Sequence, residues 1–305
     1  MSLIYEGTDI TDYVNVTKCV CRDVSHGRAD SLELEFDHAA VWYQWGPKED
    51  DKIIAELDGY STGVMYLNAI VPEGDTFKML ATALPSAARR KAWDVYKDMT
   101  FDNILHRCAA EAGVNAKIYG VDDQLVYSFL MRENQGCAAF LDWLGTLEGL
   151  AIKAANGAFR AVSIEYAQSM NPVQTLYIDT KQDGVTYTRK EINKISTLTV
   201  FSPFARVSAS DSAAIYGSPC TVSTLPARDA VQAGRWARGV LLMNNRQMES
   251  LTVKSAFNPS MAALVRVDVD GTTDANGGWI VDDVQHDLIN LTSETKMLRV
   301  LTSIK

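Results

Sequence analysis

Ile53-Ile54-Ala55-Glu56-Leu57-Asp58-Gly59 and Val265-Arg266-Val267-Asp268-Val269-Asp270-Gly271 carry one pattern twice. Each is an alternating, strand-like run that ends in an Asp-Gly turn signal. A glycine then opens a further strand-like run in both places, Gly63-Val64-Met65-Tyr66 and Gly278-Trp279-Ile280-Val281. Each series closes on a strand containing Lys-Met-Leu, at Lys78-Met79-Leu80 and Lys296-Met297-Leu298. Order and spacing match with small insertions. Two meanders can resemble one another by chance; common descent instead predicts two related β-barrel or sandwich modules flanking whatever lies between.

Working outward, the first 85 residues read as β. Ser31-Leu32-Glu33-Leu34-Glu35-Phe36 alternates with period two, and Lys52–Leu57, Val64–Ile70 and Phe77–Leu84 are further strand candidates. The next stretch changes period. Thr100 can cap a helix whose apolar face is Phe101, Ile104, Leu105, Cys108, Ala109 and Ala112, ended by Gly113. A second helix is expected from Gln135 to Glu148, ended by Gly149. Ala151–Ala154 and Phe159–Ile164 flank Asn156-Gly157, a hairpin signal. Strands are expected again at Gln174–Asp179, Lys194–Phe201, Leu264–Val269, Trp279–His286 and Lys296–Ile304, with one helix near 229–248. The fold class is therefore α+β, mainly β. The expected organisation is a first β module at 1–85, an α+β insertion with two amphipathic helices at 86–170, and a second β module at 171–305.

The chain has 305 residues and a formal net charge of -9, with 47% hydrophobic and 22% charged residues. That composition supports a globular fold and argues against sequence-independent nucleic-acid binding, which needs clustered cations. No uncharged apolar run approaches the ~20 residues of a membrane helix. The start, Met1-Ser2-Leu3-Ile4-Tyr5-Glu6, has neither a basic nor an apolar leader region, so synthesis without a signal peptide in the cytoplasm is expected. Cys19, Cys21, Cys108, Cys137 and Cys220 are odd in number and irregularly spaced, which points to reduced, mostly buried thiols.

Motifs that could carry chemistry fail on context. Gly59-Tyr60-Ser61-Thr62-Gly63 matches a nucleophile elbow, but a strand-like run follows where a helix is required. Asp268, Asp270 and Asp274 suggest a calcium loop, yet Thr273 and Trp279 occupy the positions that need Gly and Glu. Cys19 and Cys21 share a strand face without two further zinc ligands. His26, His38, His106 and His286 are scattered, and no carboxylate pair stands out. No phosphate loop or dinucleotide fingerprint occurs. Asn15-Val16-Thr17 and Asn290-Leu291-Thr292 are glycosylation sequons without weight in a chain read as non-secreted. Arg89-Arg90-Lys91 reads as a solvated domain junction or a contact with an acidic neighbour. No catalytic, cofactor-binding or metal-binding residue is expected, and no enzyme.

Several segments taken together resemble the late-control D family, the baseplate hub proteins of contractile phage tails, phage-tail-like bacteriocins and related injection systems. Asp9-Ile10-Thr11-Asp12-Tyr13-Val14 and Asp30–Phe36 resemble its opening strands, followed by Trp42 and Trp45-Gly46-Pro47. Leu84-Pro85-Ser86, Ala92-Trp93, Thr100–Leu105 and Ala109–Gly113 resemble its junction into the first helix. Glu133–Leu141 with Leu147-Glu148-Gly149-Leu150, and Trp279–Leu288 with Met297–Val300, resemble its second helix and closing hairpin. The likeness covers most of the chain and is weakest from about 165 to 260. Asp50-Asp51 departs from it, standing where the family often has Gly-Asp.

The resemblance implies a homotrimer in which each subunit contributes two tube-like β-domains, making a ring of six-fold character that joins a tail tube to a three-fold spike. Since the chain stops at Lys305 without an appended spike, a separate spike protein is implied, alongside the tube protein and other baseplate proteins. It implies a virion or tail-like particle as the location, with no membrane, no specific nucleic-acid binding and no cofactor. The acidic balance then has a candidate role, a channel wall that repels phosphate. The alternatives are another tail component built on the tube module, or a tail-associated cell-wall hydrolase.

Overall fold

The computed structural model describes residues 1–122, 125–271 and 274–305. The first strands are β1 (Ser2–Tyr5), β2 (Asn15–Val24), β3 (Ser31–Asp37), β4 (Lys52–Leu57), β5 (Met65–Glu73) and β6 (Thr76–Thr82), with a short helix α1 (Ala40–Trp45) after β3. Next come β7 (Ala92–Thr100), α2 (Phe101–Ala112), β8 (Asn115–Tyr119), β9 (Val126–Gln135), α3 (Cys137–Glu148), β10 (Leu150–Ala155), β11 (Ala158–Ser163) and α4 (Ile164–Ser169). Then follow β12 (Thr175–Tyr177), β13 (Val185–Arg189), β14 (Ile195–Phe201), β15 (Arg206–Ser210), β16 (Ser218–Val222) and α5 (Ala230–Asn245). The chain closes with β17 (Glu249–Ala256), β18 (Arg266–Asp270), β19 (Gly277–Asp287) and β20 (Thr292–Arg299).

The echo in the sequence is an echo in topology. The first unit has sheet order β1-β4-β5-β6-β3-β2, and the second has β12-β18-β19-β20-β17-β13. Taken in chain order, β1 to β6 correspond one for one to β12, β13, β17, β18, β19 and β20. The echo breaks at one strand pair: β1 runs antiparallel to β4, whereas β12 runs parallel to β18. The two units fuse into one continuous sheet where β2 pairs with β19, from Val24↔Asp283 to Val20↔Asp287. Alternation buries one face of each unit. Leu34, Phe36, Trp42, Ile53 and Phe77 fill the first core, and Leu251, Val267, Trp279, Val281 and Met297 the second.

Among the described residues a third core, the largest, lies under the helices. Thr100 Oγ1 accepts from Asn103 N at 3.2 Å, and Gly113 ends α2 at φ 71°, so the expected cap, stop and buried face are all found. Helix α3 begins at Cys137 rather than Gln135, because Gln135 still belongs to the β7–β9 pairing. The Asn156-Gly157 hairpin forms with both residues at positive φ. Residues 195–245 share this third core with the 86–170 segment: Trp236 Nε1 of α5 and Tyr127 Oη of β9 both donate to Glu148 of α3, at 2.8 and 3.0 Å. The helix expected near 229–248 spans Ala230–Asn245, then tightens into a 3-10 turn.

Two further differences from the sequence reading concern strand pairing. The ribbon of β7 and β9 was not expected, since α2 and β8 separate its strands in the chain. The last expected strand stops at Arg299; the tail instead turns away, and Ile304 bridges to Asp211 while Ser210 and Lys305 exchange backbone hydrogen bonds. The Asp50 turn survives the departure noted above. Asp50 takes φ 69°, and its carboxylate accepts from Ser86 N at 2.7 Å and Ser86 Oγ at 2.5 Å, which compensates the backbone cost. No described helix is long and apolar enough to cross a membrane.

Helices α3 and α5 approach backbone to backbone at Gly239. A Cβ there would stand 2.1 Å from Leu147 O and 2.6 Å from Gly149 N. Gly239→Ala should therefore cost about 2–3 kcal/mol despite the better helix propensity of alanine, read as a lower urea midpoint with unchanged slope.

Candidate functional site

The chemistry-bearing motifs stay apart in space. Ser61 sits in a strand-turn-strand loop and its Oγ accepts from Gly63 N at 3.2 Å. Asp270 Oδ1 accepts from its neighbour Gly271 N, and Thr273 lies outside the described residues. Cys19 and Cys21 point into the first core, where burial pushes the Cys19 thiol up to about 12. His106 is exposed, 3.4 Å from Asp102 one turn back. Among the described residues no group of His, Cys, Asp and Glu could hold a metal ion.

What the structure does assemble is a junction of the three cores. Lys153 lies on β10, a strand buried along its whole length. Its Nζ donates to both oxygens of Asp30 at 2.9 Å, to Val24 O at 3.3 Å, and to Asp23. Asp30 Oδ1 also accepts from Val24 N at 3.0 Å, and Asp23 Oδ2 from Ala263 N at 3.2 Å. One ammonium thus ties the helical body to the β2–β3 turn of the first unit and, through Asp23, to the second. Burial pushes Asp30 up to about 7, against the pull of Lys153.

The seam beside it repeats the device. Asp282 on β19 accepts from Ser25 Oγ at 2.7 Å and faces Lys296 at 3.3 Å and Arg246 at 3.6 Å. Burial opposes the Asp282 charge, but Arg246, the Ser25 hydroxyl and Lys296 together outweigh it and hold the carboxyl below its usual range. His286 is fully buried at the same seam. Its Nε2 donates to Met261 O at 3.0 Å, so Nδ1 accepts from Ser293 Oγ at 2.8 Å, and its ring meets Tyr60 of the first unit at 4.9 Å. Sequence reading missed this node, because Lys153 and Asp30 are 123 positions apart.

Three surfaces surround the junction. The sheet face opposite the cores runs unbroken across the seam in cross-strand rows, such as Lys254, Glu294, Gln285, Arg22 and Ser31. Four ion pairs lie on it: Lys18 with Glu33 at 2.6 Å, Lys78 with Glu73 at 2.7 Å, Lys254 with Glu294 at 3.3 Å, and Arg22 with Asp283. At the sheet end away from the helical body, the β5–β6 and β19–β20 turns occupy corresponding places in the two units. Tyr13, Tyr43 and Leu291 are exposed there, at 69%, 61% and 51%. At the other end a cleft of about 1020 Å³ opens between the β2–β3 turn and the first turn of α3, edged by Arg28, Arg89 and Lys91. The basic cluster of the sequence is therefore placed on a cleft rim.

No protein-family model matches the sequence, and no curated protein matches it. Solved structures do share the fold. A tail protein from Neisseria meningitidis MC58 aligns with TM-score 0.76 at 12% identity, over 98% of this chain and 95% of that one. The 43 kDa tail protein of prophage MuSo2 from Shewanella oneidensis aligns with TM-score 0.70 at 13% identity, over 98% and 96%. The prophage tail protein gp18 from Listeria monocytogenes EGD-e gives 0.64 at 9% identity, over 93% and 89%. The chain thus shares the fold of these prophage and tail proteins over 93–98% of its length.

Two outcomes follow for the junction. Lys153→Met leaves two carboxylates without their cation and should cost about 3–5 kcal/mol, part of it recovered in the double variant with Asp30→Asn, as measured by urea unfolding. His286 is held below its usual pKa by burial, so the unfolded chain takes up its proton first and stability is lost as pH falls below about 6.5. Asp30 works in the opposite sense, because its raised pKa lets the native state gain a proton below about 7. The test is therefore a difference: between pH 7 and pH 5, His286→Asn should lose about 1 kcal/mol less than the wild type.

Proposed function

We propose that this chain is a structural baseplate hub of a contractile tail or tail-like particle, of the late-control D kind, without enzymatic activity. The observation that carries the reading is the duplicated unit within one continuous sheet. A subunit that presents the same strand order twice, side by side, offers two near-equivalent wall segments. Three such subunits closing head to tail give six segments on a three-fold frame, which matches a hexameric tube on one side and a trimeric spike on the other. The fold shared with tail proteins from Neisseria, Shewanella and Listeria supports the same class. The Escherichia coli protein c3393 aligns at TM-score 0.57 over 95% of this chain; it is described as a type VI secretion component similar to the T4 tail proteins gp27 and gp5.

In this reading β1–β6, and β12, β13 and β17–β20 of 171–305, are the tube-like modules, while 86–170 is the α+β insertion, joined in its core by residues 195–245. The end bearing Tyr13, Tyr43 and Leu291 meets the tube protein, because quasi-equivalent turns of both modules reach it. The helical body at the other end faces the separate spike and other baseplate proteins. The coreless sheet face lines the channel. Its cations are neutralised by neighbouring carboxylates, so passing phosphate finds no free cation row.

Light scattering should give a trimer of 33.6 kDa chains, about 100 kDa, and electron microscopy a ring with a central opening. A monomer that forms no ring even when mixed with tube protein would sink the hub reading and leave a different tube-module component. The purified protein should not retard duplex DNA at about 50 mM salt. Glu33→Lys with Glu35→Lys, which frees cations on the lining face, should produce retardation.

A further inference from the structure

The cleft beside the β2–β3 turn has a chemistry of its own. Leu84, Ala138, Trp143, Ile152 and Phe159 give it an apolar wall, and Arg28, Arg89 and Lys91 stand on its edge. A second hollow of about 380 Å³, walled by Phe129, Met131, Pro226 and Arg228, meets it at Gln135 and Trp143, which line both. From there the apolar surface runs across the ribbon: Met131 lies opposite Val95, and Trp93, 68% exposed, follows on the same face. Contiguous exposed apolar surface with a polar rim marks a site of association, and aromatic residues, Met and Arg are the side chains such sites favour. Along this track the charge is inverted relative to the chain, whose net charge is -9. Arg28, Arg89, Lys91 and Arg228 line the two hollows against two carboxylates, Asp142 and Glu133. Asp142 is already committed, since its Oδ1 accepts from Gly27 N at 2.9 Å. The cations are not. Arg28 comes only within 4.0 Å of Asp283, and Arg89 donates to the neutral side chains of Asn68 and Thr82. Arg228 lies between the Phe129 and Phe204 rings, 5.1 and 5.5 Å from their centroids. Among the described residues no carboxylate pairs with Arg89, Lys91 or Arg228. The first turn of α3 adds to the same sign, because it holds no acid and no side chain caps it.

We propose that this track is the docking site of an acidic segment of another protein, one that carries large apolar side chains between its carboxylates. The carboxylates meet Arg89 and Lys91 at one end and Arg228 at the other, and the apolar side chains enter the two hollows that meet at Trp143. Charge complementarity selects the sign of the partner. The apolar walls select a polypeptide: a nucleic acid would satisfy the cations but leave Leu84, Ile152 and Phe159 without a partner. Arg228 is held between its two rings before the partner arrives, so little side-chain freedom is lost when it takes a carboxylate. Occupation would bridge the first unit and the helical body, since Arg28 and Thr82 belong to one and α3 to the other. The inference goes beyond the hub reading and uses only the residues of this surface. A chain that forms a ring but binds no acidic segment, or the reverse, separates the two.

The test selects a library of random peptides of about 12 residues on the purified full chain, then measures the enriched peptides by fluorescence anisotropy at about 100 mM salt. The peptides enriched should carry several Asp or Glu together with Leu, Phe or Trp, and their affinity should fall as salt rises. Arg89→Glu with Lys91→Glu should weaken them about tenfold. Ala139→Trp, at an exposed position of α3 that lines the cleft, should also weaken them about tenfold, with the salt dependence retained. Lys181→Glu with Lys190→Glu makes the same change of net charge at residues that line neither hollow, and should leave binding within about twofold. Urea unfolding first shows which variants fold, and Ala139→Trp supplies the reading should the rim variant not. Enrichment of no peptide, or of peptides without an acidic excess, would overturn the proposal, as would binding that either folded variant leaves intact. Single-stranded DNA bound in place of peptide, and lost in the rim variant, would assign the track to nucleic acid and overturn it equally.

Discussion

A buried ammonium can be tolerated only where carboxylates and carbonyls meet it, and Lys153 meets them at the one point where all three cores converge. That requirement constrains the rest. Asp30 must end the β2–β3 turn facing β10, Asp23 must reach back to Ala263, and β2 must therefore lie against β19. A fully apolar contact at this point would tolerate a slip along the strands, whereas a set of directed hydrogen bonds does not. The ionic node and the adjoining Asp282 cluster fix register more than they add stability, since desolvation cancels much of their Coulomb attraction.

Fixing that register has a consequence at larger scale. The duplicated units meet edge to edge, so their coreless faces form one surface and their far turns lie at one end. Both insertions leave from the opposite side. One follows β6 and the other interrupts the second unit between β13 and β17, yet they build a single core through α3, α5 and Glu148. The helical body thus spans both units and braces the seam from outside. The two units and the body together present one decorated end, one bare end and one face crossed by ion pairs.

The repeat and the helices were legible because they follow from local rules. Period-two alternation, Asp-Gly and Asn-Gly turns, and the Thr100 and Gly113 signals around α2 act over a few residues, and the structure places Asp58-Gly59, Asn156-Gly157 and both ends of α2 as read. The ribbon of β7 and β9 was not legible, since its strands are paired across α2 and β8. Nor was the end of the chain, where alternation ran on past Arg299 while the backbone had left the sheet to pair with β15. The junction was the least visible of all. Lys153 sits within an alternating hairpin strand and looks like any solvent-facing lysine until Asp23 and Asp30 arrive from the other module.

Asp50 shows how a left-handed backbone position is met without glycine. The turn demands a left-handed residue, for which glycine is the inexpensive solution. This chain uses Asp instead and recovers the difference through two hydrogen bonds to Ser86, which also pin the chain where it leaves the first unit. The turn sets the backbone demand, and a second contact lets a residue other than glycine answer it. The same logic explains why the acidic net charge says little by itself. On the coreless face Lys18, Arg22 and Lys254 each meet a carboxylate on the neighbouring strand, so the local charge there is set by cross-strand pairing rather than by composition.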